Sequence, residues 1–200
     1  METASKKMKY FIMTLAWLIT ACTTPKFDII IKNGQIADGT GNELFEANIY
    51  IRDGKIVTVG NLEKAIGTRS IDATGLVITP GFIDMHTHSE RRSLDFPAVE
   101  NYLQQGVTTM VGGNCGSSPL PMSTFMADTE AMGIGPNLAL LVGHNTVRPE
   151  VIGTENRLAT EAELKSMQAL VHTAMDDGAF GMSTGLRFTE RSCWILLDYE

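Results

Sequence analysis

Residues 80–88 read Pro80-Gly81-Phe82-Ile83-Asp84-Met85-His86-Thr87-His88. Proline and glycine punctuate the chain, and the apolar residues after them start a strand that ends in polar ones. Side chains of an extended chain alternate faces, so His86 and His88 point to one side, where a single ion can meet both imidazoles. A helical stretch around Ala98–Gln105 and a strand at Val107–Val111 follow, then a strand at Asn137–Val142. Thr160-x-x-Glu163 is a capping box that opens a helix to about Met175, Asp177-Gly178 ends it, and a fourth strand spans roughly Ala179–Thr184. Strands alternating with helices predict a parallel sheet, and four such strands make half of an eight-stranded barrel. The histidine pair then stands at the C-terminal end of the first barrel strand, where barrels of this kind keep their chemistry.

Upstream of Pro80 the rhythm differs. Phe27–Lys32, Gln35–Ala37, Ala47–Ile51 and Lys55–Val59 are short β-branched runs, separated by Asn33-Gly34, Asp38-Gly39 and Asp53-Gly54. Asn-Gly and Asp-Gly between such runs predict hairpin turns. Residues 27–79 are therefore expected to form a small β-sandwich domain. Further upstream, Lys6, Lys7 and Lys9 precede the apolar run Tyr10–Ile19. A run of about ten residues is too short for the ~20 of a membrane-spanning helix, and its layout is that of a secretory signal. Ile19-Thr20-Ala21-Cys22 resembles a bacterial lipobox. That implies removal of residues 1–21, lipidation of Cys22, a tether over 22–26, and export to a membrane, with the outer membrane facing the periplasm as the expected address.

Composition narrows the partners. Hydrophobic residues make up 44% and charged residues 20%, which fits a globular chain with a core. A formal net charge of −7 with no basic patch argues against nucleic acid. The three cysteines, Cys22, Cys115 and Cys193, form no CxxC pair and are an odd number, which fits separate fates better than a disulfide framework.

The string PGFIDMHTH resembles the signature of the amidohydrolase superfamily. Many binuclear members bridge their metals with a carboxylated lysine at the end of the fourth strand, yet the only lysine after residue 100 is Lys165, inside the predicted helix. The fourth strand ends in Ser183-Thr184-Gly185-Leu186 instead. Such a site needs another anionic ligand. Cys115, in Gly112-Gly113-Asn114-Cys115-Gly116 after the second strand, is either that soft ligand or the small buried hydrophobe a lone cysteine commonly is.

That glycine-rich segment, Gly143-His144-Asn145-Thr146-Val147-Arg148 and Gly178–Leu186 together resemble the D-aminoacylase, or N-acyl-D-amino-acid deacylase, family over about Phe27 to Phe188. The resemblance implies a TIM-like metal-dependent hydrolase barrel, zinc as cofactor, Cys115 as a zinc ligand, and His86 and His88 as a second, weaker metal site. It also implies small N-acyl amino acids as substrates and hydrolysis of a non-peptide C–N bond. His144, at the end of the third strand, is a candidate pocket residue, although Asn145 follows it where the family has glycine. Ser183, at the end of the fourth strand, is a second pocket candidate and is read as a packing or pocket residue. His172 falls in the predicted helix and is read as a packing or surface residue.

The family pattern stops after Phe188, and residues 189–200 diverge from it. The barrel portion is thus expected over 80–188, with no catalytic residue of its own, the general acid–base aspartate lying beyond Glu200. Two functional expectations follow. The chain is a zinc-dependent amidohydrolase by descent, or it is a catalytically inactive truncated lipoprotein fragment of one.

Overall fold

The computed structural model describes residues 24–155 and 157–185. The segment with Cys22 and the apolar run before it lies outside the described residues, as does the tail with Cys193. Among the described residues no helix is long and apolar enough to cross a membrane. The chain divides into two compact units, one ending at Pro80 and one beginning at Gly81.

The first unit is built from β1 (Lys26–Ile36), β2 (Phe45–Arg52), β3 (Lys55–Gly60), β4 (Ile66–Asp72) and β5 (Val77–Ile78). The expected sandwich appears here as one sheet in the order β3-β2-β1-β4, because β4 and β5 both pair in parallel with β1 instead of starting a second layer. Phe27, Ile30 and Tyr50 pack together in one buried cluster, and Ile36, Ala47 and Ile49 in another.

Asp53-Gly54 is the hairpin turn the sequence predicts, with φ of 52° and 69° and the flanking Arg52 and Lys55 paired. Asn33-Gly34 is not. The register of β1 against β2 slips by one residue between Ile31 and Gly34, and the strand runs on to Ile36. Asn33 takes a left-handed φ of 62° as the extra residue of a β-bulge. Its backbone N–H donates to Asn48 Oδ1 of β2 at 3.3 Å and its side-chain amide to Asp72 Oδ1 of β4 at 3.0 Å. Ladders on both edges of β1 hold it extended, and a turn there would break both.

The second unit contains β6 (Phe82–Asp84), α1 (Glu90–Ser93), α2 (Glu100–Leu103), β7 (Val107–Gly112), α3 (Met122–Met132), β8 (Asn137–Leu140), β9 (Val142–Gly143), α4 (His144–Ile152), α5 (Glu161–Asp176) and β10 (Met182–Ser183). β6, β7 and β8 form a parallel sheet in chain order, and β9 pairs in parallel with β10. Leu141 N–H donates to Gly112 O at 3.0 Å, so the chain from β8 into β9 keeps its contact with β7. The fold is mixed α/β. Met122, Leu140, Val142, Val147, Ile152, Met167, Ala174 and Ala179 form its core, where α3, α4 and α5 meet β8 and β9. Full burial of an aliphatic side chain of this size stabilises by about 1.5–3 kcal/mol.

The helix from Thr160 starts with the expected capping box. Thr160 Oγ1 accepts from Glu163 N–H at 3.3 Å and Glu163 Oε2 accepts from Thr160 N–H at 2.8 Å. Helix α4 is not legible as read: Pro149 lies inside it and polar residues outnumber apolar ones, so a turn-like stretch conceals it. Its buried positions, His144, Val147, Arg148 and Ile152, nevertheless recur at helical spacing.

Candidate metal centre

Strand β6 ends at Asp84, and His86 N–H is held by Asp84 Oδ1 at 3.0 Å, which bends the chain out of the strand. Pairing does not stop there. Thr87 N–H donates to Val111 O of β7 at 3.0 Å, and the Thr87 side chain is buried. With Thr87 turned inward, alternation turns His86 and His88 outward, and both are exposed. Their rings stand edge to face, with centroids 5.6 Å apart.

Cys115 comes from the turn after β7. Asn114, Cys115, Gly116 and Ser117 form a tight turn closed by Ser117 N–H on Asn114 O at 3.2 Å. Both central residues have positive φ, 54° at Cys115 and 78° at Gly116. A left-handed residue with a Cβ costs roughly 1–2 kcal/mol, so the sequence places strain at its half-buried thiol. The Cys115 Sγ lies 3.3 Å from His86 Nε2. One ligand atom each from His86, His88 and Cys115 all fall within 4.8 Å of one another. In tetrahedral zinc two such ligand atoms are roughly 3.3–3.6 Å apart, so the widest pair needs no more than about 1.5 Å of closing.

The two pocket candidates fall differently. His144 is fully buried at the first turn of α4 and is not one of the three converging side chains. Ser183, half-buried on β10, is bonded into the turn that carries Cys115. Gly116 N–H donates to Ser183 Oγ at 2.9 Å, and the same hydroxyl donates to Gly113 O. His172 is exposed on α5, as its helical position predicts.

Two contributors escaped the sequence reading. Asn145 Nδ2 reaches Cys115 O and Gly185 O, each at 3.4 Å, across 30 and 40 residues of chain. Glu90 is 1% exposed, and neither of its carboxylate oxygens has a hydrogen-bond partner among the described residues. Its carboxylate packs against Gly112, where a Cβ would come within 2.7 Å of Oε2. A glutamate two positions after a histidine gives no sequence signal of burial.

Comparison with known proteins identifies the family. A family model described as the amidohydrolase family matches residues 69–193. N-acyl-D-aspartate deacylase of Alcaligenes xylosoxydans xylosoxydans is 38% identical over 181 residues, which cover 79% of this chain and 36% of that protein. D-aminoacylase of the same organism is 34% identical, over 80% of this chain and 38% of its own length. The crystal structure of N-acyl-D-glutamate deacylase from Bordetella bronchiseptica, complexed with zinc and a phosphonate mimic of the tetrahedral intermediate, superposes with a TM-score of 0.78. It shares 33% identity, over 84% of this chain and 40% of that one. The chain thus spans rather more than a third of the length of the relatives it matches.

Proposed function

Because the chain belongs to the amidohydrolase family and resembles its N-acyl-D-amino-acid deacylases, we propose that its three converging side chains hold zinc for hydrolysis of the C–N bond of an N-acyl-D-amino acid. The observation that carries this reading is the grouping of His86, His88 and Cys115 ligand atoms within 4.8 Å. Two imidazoles and a thiolate are a donor set zinc favours, and the exposure of both histidines leaves an ion there open on one side, as a catalytic zinc requires. When bound, zinc supplies polarisation of the amide carbonyl and activation of water.

The chain's own residues set the frame. Asp84 fixes the bend before His86, Thr87 keeps the intervening residue paired to β7, and the turn at Asn114–Ser117 presents the thiol. The four successive parallel segments, β6, β7, β8 with β9, and β10, are read as the opening strands of a TIM-like barrel. The lysines ahead of the apolar run and the lipobox-like Ile19–Cys22 support a lipid anchor at Cys22, which palmitate labelling abolished by Cys22→Ser would test.

The central test uses the full chain. We expect it to bind zinc, measured by competition with a chromogenic chelator, and any release of D-amino acid from N-acyl-D-aspartate or N-acyl-D-glutamate to require zinc. Both should fall in Cys115→Ala. A chain that binds no zinc, or whose binding is indifferent to Cys115→Ala, overturns the reading. Zinc binding without turnover would favour the alternative of a non-catalytic relative.

A further inference from the structure

We infer that Ser183 is a positioning residue for the Cys115 thiolate, clamping the strained turn that carries it. The inference deepens the reading of the metal centre and rests on it. A serine hydroxyl has one proton to give and lone pairs to accept with, and Ser183 uses both on the same turn. It accepts from Gly116 N–H at 2.9 Å and donates to Gly113 O, so it bridges the two residues that flank Asn114 and Cys115. The turn's own closing bond is long, 3.2 Å from Ser117 N–H to Asn114 O, and Cys115 holds a φ of 54° that its Cβ opposes. Something outside the turn must hold it.

That support comes from the ends of β9 and β10. Asn145 Nδ2 reaches Cys115 O at 3.4 Å, Ser118 Oγ accepts from Gly143 N–H at 2.9 Å, and Thr146 Oγ1 accepts from Ser118 N–H at 3.0 Å. Gly143 and Gly185 stand so close that a Cβ on either would overlap the Gly116 and Cys115 carbonyls. Among the described residues, Ser183 is the side chain that bonds on both sides of Cys115, at Gly113 and at Gly116. Without its hydroxyl, the Gly116 N–H and Gly113 O lose their bridge and the turn relaxes toward negative φ, swinging the sulfur away from His86.

The test measures cobalt(II) and zinc binding by the full chain, with the thiolate-to-cobalt charge-transfer absorption as a readout of sulfur ligation. Loss of an outer partner of a ligand typically weakens metal binding 10–100-fold. Ser183→Ala is therefore expected to weaken binding by that factor and to diminish the charge-transfer band. Ser183→Thr, which keeps the hydroxyl, is expected to restore both, and its isostere Ser183→Val to behave like alanine. The Thr and Val variants differ by the hydroxyl alone, so this pair decides the matter if Ser183→Ala fails to fold. In the metal-free chain, the Cys115 thiol of the Val variant should also react faster with a disulfide reagent than that of the Thr variant. Val and Thr variants with equal affinity, equal bands and equal thiol reactivity overturn the inference. A wild-type chain with no band that depends on Cys115 overturns the zinc reading as well, which keeps the two failures distinct.

Discussion

Asp53-Gly54 and Cys115-Gly116 turn the chain the same way. Their φ values are 52° and 69° in the first pair, and 54° and 78° in the second. The first turn joins β2 to β3, with one bond from outside them, Asp53 N–H to Asp28 Oδ2 of β1 at 2.7 Å, and open space where a Gly54 Cβ would be. The second is packed: a Cβ on Gly116 would come within 2.8 Å of the Asn145 side chain and 2.9 Å of Gly185 N. Aspartate is at home in left-handed geometry, since its short polar side chain bonds locally, whereas cysteine gains nothing there. One turn is chosen by its sequence. The other is imposed by its neighbours, and it carries a candidate ligand.

Substitution can separate the two. Gly116→Ala adds an overlap of about 1–3 kcal/mol to the roughly 1–2 kcal/mol of a left-handed Cβ, so it should destabilise by about 2–5 kcal/mol in urea unfolding. Gly54→Ala should cost only the second part. Equal losses at both positions would erase the contrast. Cys115→Gly sharpens it from the other side. Relief of strain, less the entropy glycine gives the unfolded chain, should stabilise the metal-free protein by up to about 1 kcal/mol while removing zinc binding. Asp53→Gly should leave stability unchanged or slightly reduced. A Cys115→Gly protein that melts well below wild type would show that the turn is not strained.

The smallest effect concerns acid. The Arg157 guanidinium, 2.6 Å from Glu163, and then the Thr160 N–H and hydroxyl, hold the Glu163 carboxyl well below the usual carboxylate range. Hydrogen bonds from Thr40 and Thr74 likewise lower Asp38 and Asp72. A carboxyl depressed in the folded state stabilises above its unfolded value of about 4.3 and loses that contribution as pH falls further. Melting temperature should thus hold from neutral pH to about 5 and decline below about 4. Glu163→Gln should flatten part of that decline, the two aspartates keeping the remainder. An unchanged slope would mean Arg157 contributes nothing to α5.

The features legible in the sequence are those whose cause is local. Asp53-Gly54 makes its hairpin because two adjacent residues suffice, and Thr160 caps α5 because Glu163 is three positions away. Alternation around Thr87 brings His86 and His88 to one side for the same reason. The failures have distant causes. Asn33-Gly34 carries as strong a turn signal as Asp53-Gly54, yet β4 and β5, joined to β1 from some forty residues on, override it. Ser183 reads as a pocket residue because no pattern near it discloses a turn 67 and 70 residues earlier. His144 reads the same way because Pro149 conceals the helix that buries it.

The distances along the chain also set an order of assembly. The sulfur–imidazole approach joins residues 29 apart, while the Ser183 grip closes a span of 70. Closing the longer loop costs only ~0.8 kcal/mol more entropy, but it cannot begin until β10 has been synthesised. On a ribosome that adds about 5–20 residues each second, the donors are therefore in reach of one another several seconds before their frame exists. On the proposed zinc reading, an ion that arrives in that interval would meet pliable side chains and one that arrives later a fixed geometry. A tightening of metal affinity would then mark the moment at which β10 docks.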